Sequence, residues 1–314
     1  MIAMKAVDYG YFPFSMPQGQ YRLDVNNVLV VSLVLFAFIL MPFTYYIAFK
    51  LRKREKIFNI VMISIGIVLI GLEIYKQITY AKIYGYIGKP EYYWKVFPFQ
   101  LCSVFMYLCP IIPLLKGKLK QAVMIFVGVY AFIGGVCVLG FDAGLNSVLW
   151  GFEMQDGTWF GDWGMVVHTL LWHAILINLG SFVFGYFRLG DIPYRGVIKL
   201  VISSWVICLC LGVVAEILNT AVPLIYGLDN PQVVGMNMRN VSLFYPVAMP
   251  ILNVIFELGP SVGGYHILGG LLGFSCFMVV LFLGNLLVQT CLYFGIKLAR
   301  RYRNVVLYTR DVDI

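Results

Sequence analysis

Charge is scarce in this chain: Asp, Glu, Lys and Arg make up 12% of its 314 residues, against 61% hydrophobic residues and 16% aromatics. So thin a polar complement cannot cover a water-facing surface, which excludes an ordinary soluble globular protein. Strict alternation of apolar and polar residues is lacking too. The apolar runs are continuous and far longer than the roughly 10-residue strands of a membrane barrel, so that architecture is excluded as well. There is no phosphate loop, dinucleotide fingerprint or zinc-protease helix, and no repeat with a period of roughly 20 to 50 residues. The seven cysteines, at 102, 109, 137, 208, 210, 276 and 291, lie inside apolar runs. Only Cys208 and Cys210 come near a ligand-like spacing, so neither a disulfide framework nor a zinc site is indicated. No cleavable signal is expected either, because residues 1–26 contain Asp8, Arg22, Asp24 and several turn formers. The first helix is expected to act as an uncleaved anchor.

What is present is a series of apolar runs of membrane-spanning length, at about 27–49, 58–78, 98–115, 119–141, 163–187, 197–222 and 266–298. Roughly 20 residues suffice to cross a bilayer, so the expectation is an all-α, polytopic bundle of seven transmembrane helices. A further apolar stretch at 246–258 is too short to span and reads as an interfacial or re-entrant helix. The chain is expected to form one integral membrane domain, 1–314, without a soluble module. Its long loops, 79–97, 142–162 and 223–265, are rich in Gly, Pro, Trp and Tyr, as ordered interfacial caps are.

Sixteen of the 23 basic residues fall in one set of connections: Lys50 to Lys56, Lys116 to Lys120, Arg188 to Lys199 and Lys297 to Arg310. Because cytoplasmic loops retain Lys and Arg, the N-terminus is expected outside and the C-terminus inside. The net charge of +8 is spread over four such loops and not gathered in one soluble patch. That pattern points to anionic lipid headgroups and not to nucleic acid.

The placement of the few polar residues along the helices carries the functional reading. At ~1.5 Å per residue, Cys102 lies ~6 Å inside the outer end of the third helix, and His168 lies ~7.5 Å below the outer end of the fifth. His173 is ~15 Å deep, and Glu73 is ~7.5 Å below the outer end of the second helix. Asn219 and Glu216 lie at comparable depth in the sixth. Polar groups from four helices thus share one layer near the outer leaflet, and an ionisable group at such depth is a functional candidate. Each also has a plainer reading. Cysteine is common in apolar helices as a small hydrophobe. Glu73 and Lys76 are three residues apart and can form a structural ion pair, and Glu216 and Asn219 can serve as interhelical hydrogen-bond partners. The methionines and aromatics are assigned to packing and lipid contact.

A thiol and an imidazole at one depth make a nucleophile and its base. By depth His168 is the better base. His173, about 140° further round the helix, is left to orient a partner or bind substrate. Glu73 or Glu216 can fix an imidazole tautomer, and Gln100 or Asn219 can donate to an oxyanion.

The segment Pro98-Phe99-Gln100-Leu101-Cys102-Ser103, followed by His168-x4-His173, resembles the YwaF family of bacterial integral membrane proteins, with its P-L-x-L-C helix and later H-x4-H helix. Phe99 stands where that family usually has Leu. The likeness extends loosely over the whole chain in length, helix count and the polar end of the second helix. The family is related to the transmembrane protein 164 group, cysteine-dependent acyltransferases that move fatty acyl chains between phospholipids. The resemblance implies a phospholipid acyltransferase in a bacterial cytoplasmic (plasma) membrane, with Cys102 as nucleophile and His168 or His173 as base. Its partners would be phospholipid and lysophospholipid, and since ester exchange is nearly isoenergetic it needs no cofactor. With water as acceptor the same site would be a lipid hydrolase. From a different class, a seven-helix transporter or receptor would bind a small ligand or proton in the same polar layer.

Overall fold

Inside hydrocarbon a chain must satisfy its N–H and C=O groups within each segment, so continuous apolar runs fold as helices. A computed structural model describes residues 25–79, 81, 101–140, 164–187, 189–226, 261–262 and 265–312; the side chains of 25–30, 101, 165–166, 215–226, 261–262, 265–271, 277 and 303–312 lie outside that description. The described residues form α1 (Val25–Leu51), α2 (Glu55–Ile78), α3 (Leu101–Ile111), α4 (Gly117–Leu139), α5 (Gly164–Phe187), α6 (Tyr194–Tyr226) and α7 (Ile267–Val312). Short 3-10 turns follow α3 at Ile112–Leu114 and α5 at Leu189–Asp191. Six of these helices are long and apolar enough to cross a membrane, and the third, Cys102–Leu114 with its turn, is shorter. The stretch at 246–258 and almost all of the three long loops lie outside the described residues.

Among the described residues the architecture is all-α apart from one antiparallel pair of two-residue strands, β1 (Ser261–Val262) and β2 (Tyr265–His266), with Ser261 opposite His266. His266, expected to open the last helix, therefore sits just before it. At its other end α7 runs well past 298, because hydropathy marks where a helix leaves the apolar phase and not where it stops. Residues 299–312 contain no Gly or Pro to end it.

Burial sorts the helices into centre and periphery. Every residue from Val123 to Ala131 of α4 is buried, so this helix is surrounded by protein. In α2 the buried positions are Phe58, Met62, Gly66, Leu69 and Glu73, one stripe at helical spacing. Its opposite face exposes Ile60, Ile63, Ile67, Ile70 and Ile74. An outward isoleucine face with an inward stripe that includes a carboxylate is the arrangement of a helix bordering lipid.

Close approach between α4 and α5 depends on missing side chains. A Cβ on Gly135 would lie 2.7 Å from Ile177, and one on Gly180 would lie 2.6 Å from Phe132. Small residues are the usual means of packing in membranes, where apolar surface alone does not drive association. Helix α5 also holds α1 around Pro42, which has no N–H to donate. Asn178 Nδ2 donates to the Ala37 carbonyl at 3.0 Å and Ser181 Oγ to the Met41 carbonyl at 2.7 Å.

Between α4, α6 and α7 lies a second buried polar cluster. Asn285 Nδ2 donates to Ser204 Oγ at 2.9 Å and to the Val201 carbonyl at 3.1 Å, and lies 3.3 Å from Tyr130 Oη; Gln289 Nε2 donates to Asn285 Oδ1 at 2.6 Å. These contacts tie α6 and α7 to the central helix. The short connections and their basic residues gather at one end of the bundle. There Lys120 Nζ meets Glu55 Oε1 at 2.6 Å, and Arg300 pairs with Asp191.

Candidate functional site

At the opposite end, three helices meet around Cys102. In α3 its Sγ lies 3.9 Å from Ser103 Oγ, and its carbonyl accepts the Trp172 indole N–H of α5 at 3.2 Å. Trp172 is buried, and its ring centre is 5.7 Å from that of His168, one turn earlier on the same face. The His168 ring in turn lies 6.1 Å from that of Tyr75 on α2. A continuous line of side chains thus runs from α2 through α5 to the backbone of Cys102.

The two histidines are held differently. His173 Nδ1 is 2.7 Å from the Thr169 carbonyl. A carbonyl only accepts, so Nδ1 carries the proton and Nε2 keeps its lone pair in the neutral ring. His168 is 7% exposed, and both of its ring nitrogens are buried without a hydrogen-bond partner among the described residues. The Leu72 backbone flanks it without reaching hydrogen-bond geometry. A ring with both nitrogens unengaged is able to take a proton at one and give a proton at the other.

Glu73 is buried and doubly held: Lys76 Nζ meets Oε2 at 2.6 Å, and Gln77 Nε2 donates to Oε1 at 2.7 Å. The carboxylate is therefore engaged within its own helix, and the His173 tautomer is set by a backbone carbonyl instead. Cys102, His168 and the Glu73–Lys76 pair thus stand on the three helices that meet here.

Of the other expected site residues, Gln100 lies outside the described residues, and Glu216 and Asn219 lie in the part of α6 whose side chains are not described. Trp172, assigned from sequence to packing, fixes the Cys102 backbone to α5 as well. The signal that could have found it is its i,i+4 spacing from His168.

Comparison with models of known protein families, with curated proteins and with solved structures finds no match to this chain.

Proposed function

We propose that this protein is a membrane-embedded phospholipid acyltransferase of the YwaF kind, working through Cys102. In this reading α3 supplies a seventh crossing, and the basic end faces the cytoplasm of a bacterial cell, with the N-terminus outside. Cys102 Sγ attacks the carbonyl carbon of a phospholipid ester. The ester C–O bond breaks, the thiol proton passes through His168 to the departing glycerol oxygen, and lysophospholipid leaves. The hydroxyl of a second lysophospholipid then gives its proton to His168 and attacks the thioester. The C–S bond breaks and the proton returns to sulfur, so the cycle needs no further reactant.

The observation that carries this reading is the convergence of α2, α3 and α5 on Cys102, with the unpaired imidazole of His168 on the same face as the Trp172 that grips the Cys102 backbone. The resemblance of the two short motifs supplies the substrate class. A second reading is favoured by the buried Glu73–Lys76 pair, since ionisable groups at such depth also mark ligand and proton paths. The two differ in which residue is essential.

The test is intact-protein mass spectrometry of the purified protein after incubation with phospholipid. Acyl transfer predicts a hydroxylamine-sensitive acyl adduct in wild type that is lost in Cys102→Ala and kept in Glu73→Gln. No adduct from any of several long-chain donors, with the protein folded, favours the transport or receptor reading. An adduct that turns over to free fatty acid without an acceptor makes the protein a lipid hydrolase.

A further inference from the structure

A groove between α6 and α7, at the basic end, has the makings of a lipid site separate from Cys102. It has a volume of about 440 Å³ and is lined by Tyr194, Leu283, Leu286, Leu287 and Thr290. Leu283 and Leu287 are 55% and 64% exposed, so the groove opens on the surface that faces lipid. From Leu283 to Thr290 the helix rises ~10 Å, which gives the groove the length of about a third of a bilayer core.

Its wall contains a buried hydroxyl with nothing to bond among the described residues. Thr290 Oγ1 is buried and has no partner among the described residues. A helical hydroxyl ordinarily turns back on the carbonyl four residues before it. Ser203 does so at 2.7 Å, Ser204 at 2.8 Å and Thr79 at 3.0 Å. Thr290 departs from that habit in a position that lines the groove.

The mouth of the groove is aromatic and cationic. Tyr194 packs against Tyr293 and Phe294, with ring centres 5.4 and 5.8 Å apart. Lys297 folds back over the Tyr293 ring, its Nζ 4.6 Å from the ring centre. That brings the ammonium to the level of Tyr293, a helix rise of ~4.5 Å from Thr290. Arg300 beside it is taken by Asp191, whereas Lys297 forms no ion pair among the described residues.

We infer that this groove seats one anionic phospholipid from the leaflet at the basic end. An acyl chain lies along Leu283, Leu286 and Leu287, an ester carbonyl accepts the Thr290 hydroxyl proton, and the phosphate meets Lys297. The order of apolar wall, hydroxyl donor and cation along the helix repeats the order of chain, ester and phosphate in the lipid. The seat does not depend on acyl transfer at Cys102, which lies at the opposite end of the bundle.

The experiment is native mass spectrometry of the full chain released from detergent, with long-chain phosphatidylglycerol and phosphatidylcholine supplied in competition. Wild type should retain one phosphatidylglycerol in preference. Thr290→Val, nearly isosteric, should weaken that adduct about fivefold, the worth of one hydrogen bond. Leu287→Trp, which fills the groove, should remove the adduct, and Lys297→Gln should abolish the preference between the two lipids. Ile67→Trp on the lipid face of α2 is the control and should change nothing. Equal retention of both lipids by wild type, or adducts indifferent to Thr290→Val, would overturn the inference. So would a wild-type dimer that Leu287→Trp converts to monomer, since the occupant would then be a second copy of the chain. If Leu287→Trp fails to fold, Thr290→Val and Lys297→Gln decide the matter.

Discussion

Replacing Lys76 by Met takes the cation from Glu73 while keeping most of the side-chain stem. The Glu73 side chain is 8% exposed and that of Lys76 16%, and their contact is 2.6 Å. In the variant the carboxylate keeps only the Gln77 amide at 2.7 Å. Stranding one member of a buried pair costs about 3–5 kcal/mol where the charge must persist. The Gln77 amide still bonds that carboxylate, so the expected loss is at the lower end of that range, about 3 kcal/mol. The opposite change, Glu73→Gln, leaves an ammonium on a long stem that can reach toward water, and should cost only about 1 kcal/mol. With both partners replaced, neither charge is stranded, and the double variant should lie within about 1 kcal/mol of wild type. The four proteins thus define an interaction energy of about 3 kcal/mol, readable by titrating mixed micelles with dodecyl sulfate and following tryptophan fluorescence. A Lys76→Met variant that loses less than about 0.5 kcal/mol, as exposed pairs do, would refute the placement of this pair inside the bundle.

Asn285→Leu removes the donor to Ser204, Val201 and Tyr130 and leaves Gln289 without its acceptor. Interhelical bonds in membranes average about 0.6 kcal/mol, so a loss of about 1–2 kcal/mol in the same titration is expected. Gly180→Leu forces a side chain into Phe132 and the Gly128 carbonyl, and should cost about 3 kcal/mol or more or prevent accumulation of the folded protein. Glu55→Gln, by contrast, breaks a pair whose acidic side chain is 66% exposed, and should change stability by less than about 0.5 kcal/mol despite its 2.6 Å contact. If the acyl-enzyme forms, His168→Asn should slow its appearance by about 10²–10⁴-fold in a time course of adduct mass, and His173→Asn should have the smaller effect.

The helices themselves were legible in the composition of their segments. An apolar run in hydrocarbon has no option but to bond its own backbone, so α1, α2 and α4 to α7 follow from hydropathy and length, with ends displaced by a few residues or, in α7, by more. The gathering of Lys and Arg at one end of the bundle was legible for the same reason, because helices joined by short connections must alternate in direction. Which helices carry the polar groups was legible too: Glu73, Cys102 and His168 stand on α2, α3 and α5, the helices that meet around Cys102.

Azimuth and partner were not legible. That Glu73 is satisfied by Lys76 and Gln77, that the His173 tautomer is set by Thr169, and that Trp172 grips Cys102 depend on which faces of α2, α3 and α5 are turned inward. The Asn285–Gln289 cluster escaped notice because two amides one turn apart in a greasy helix carry no charge to attract attention. Only the bundle decides such matters. Membrane helices are selected against one another by small-residue contacts such as those of Gly135 and Gly180, and these are summed over surfaces that no single segment contains. The sequence by itself determined the helices and the end of the bundle at which their basic connections gather. The tertiary structure determined which of those groups meet.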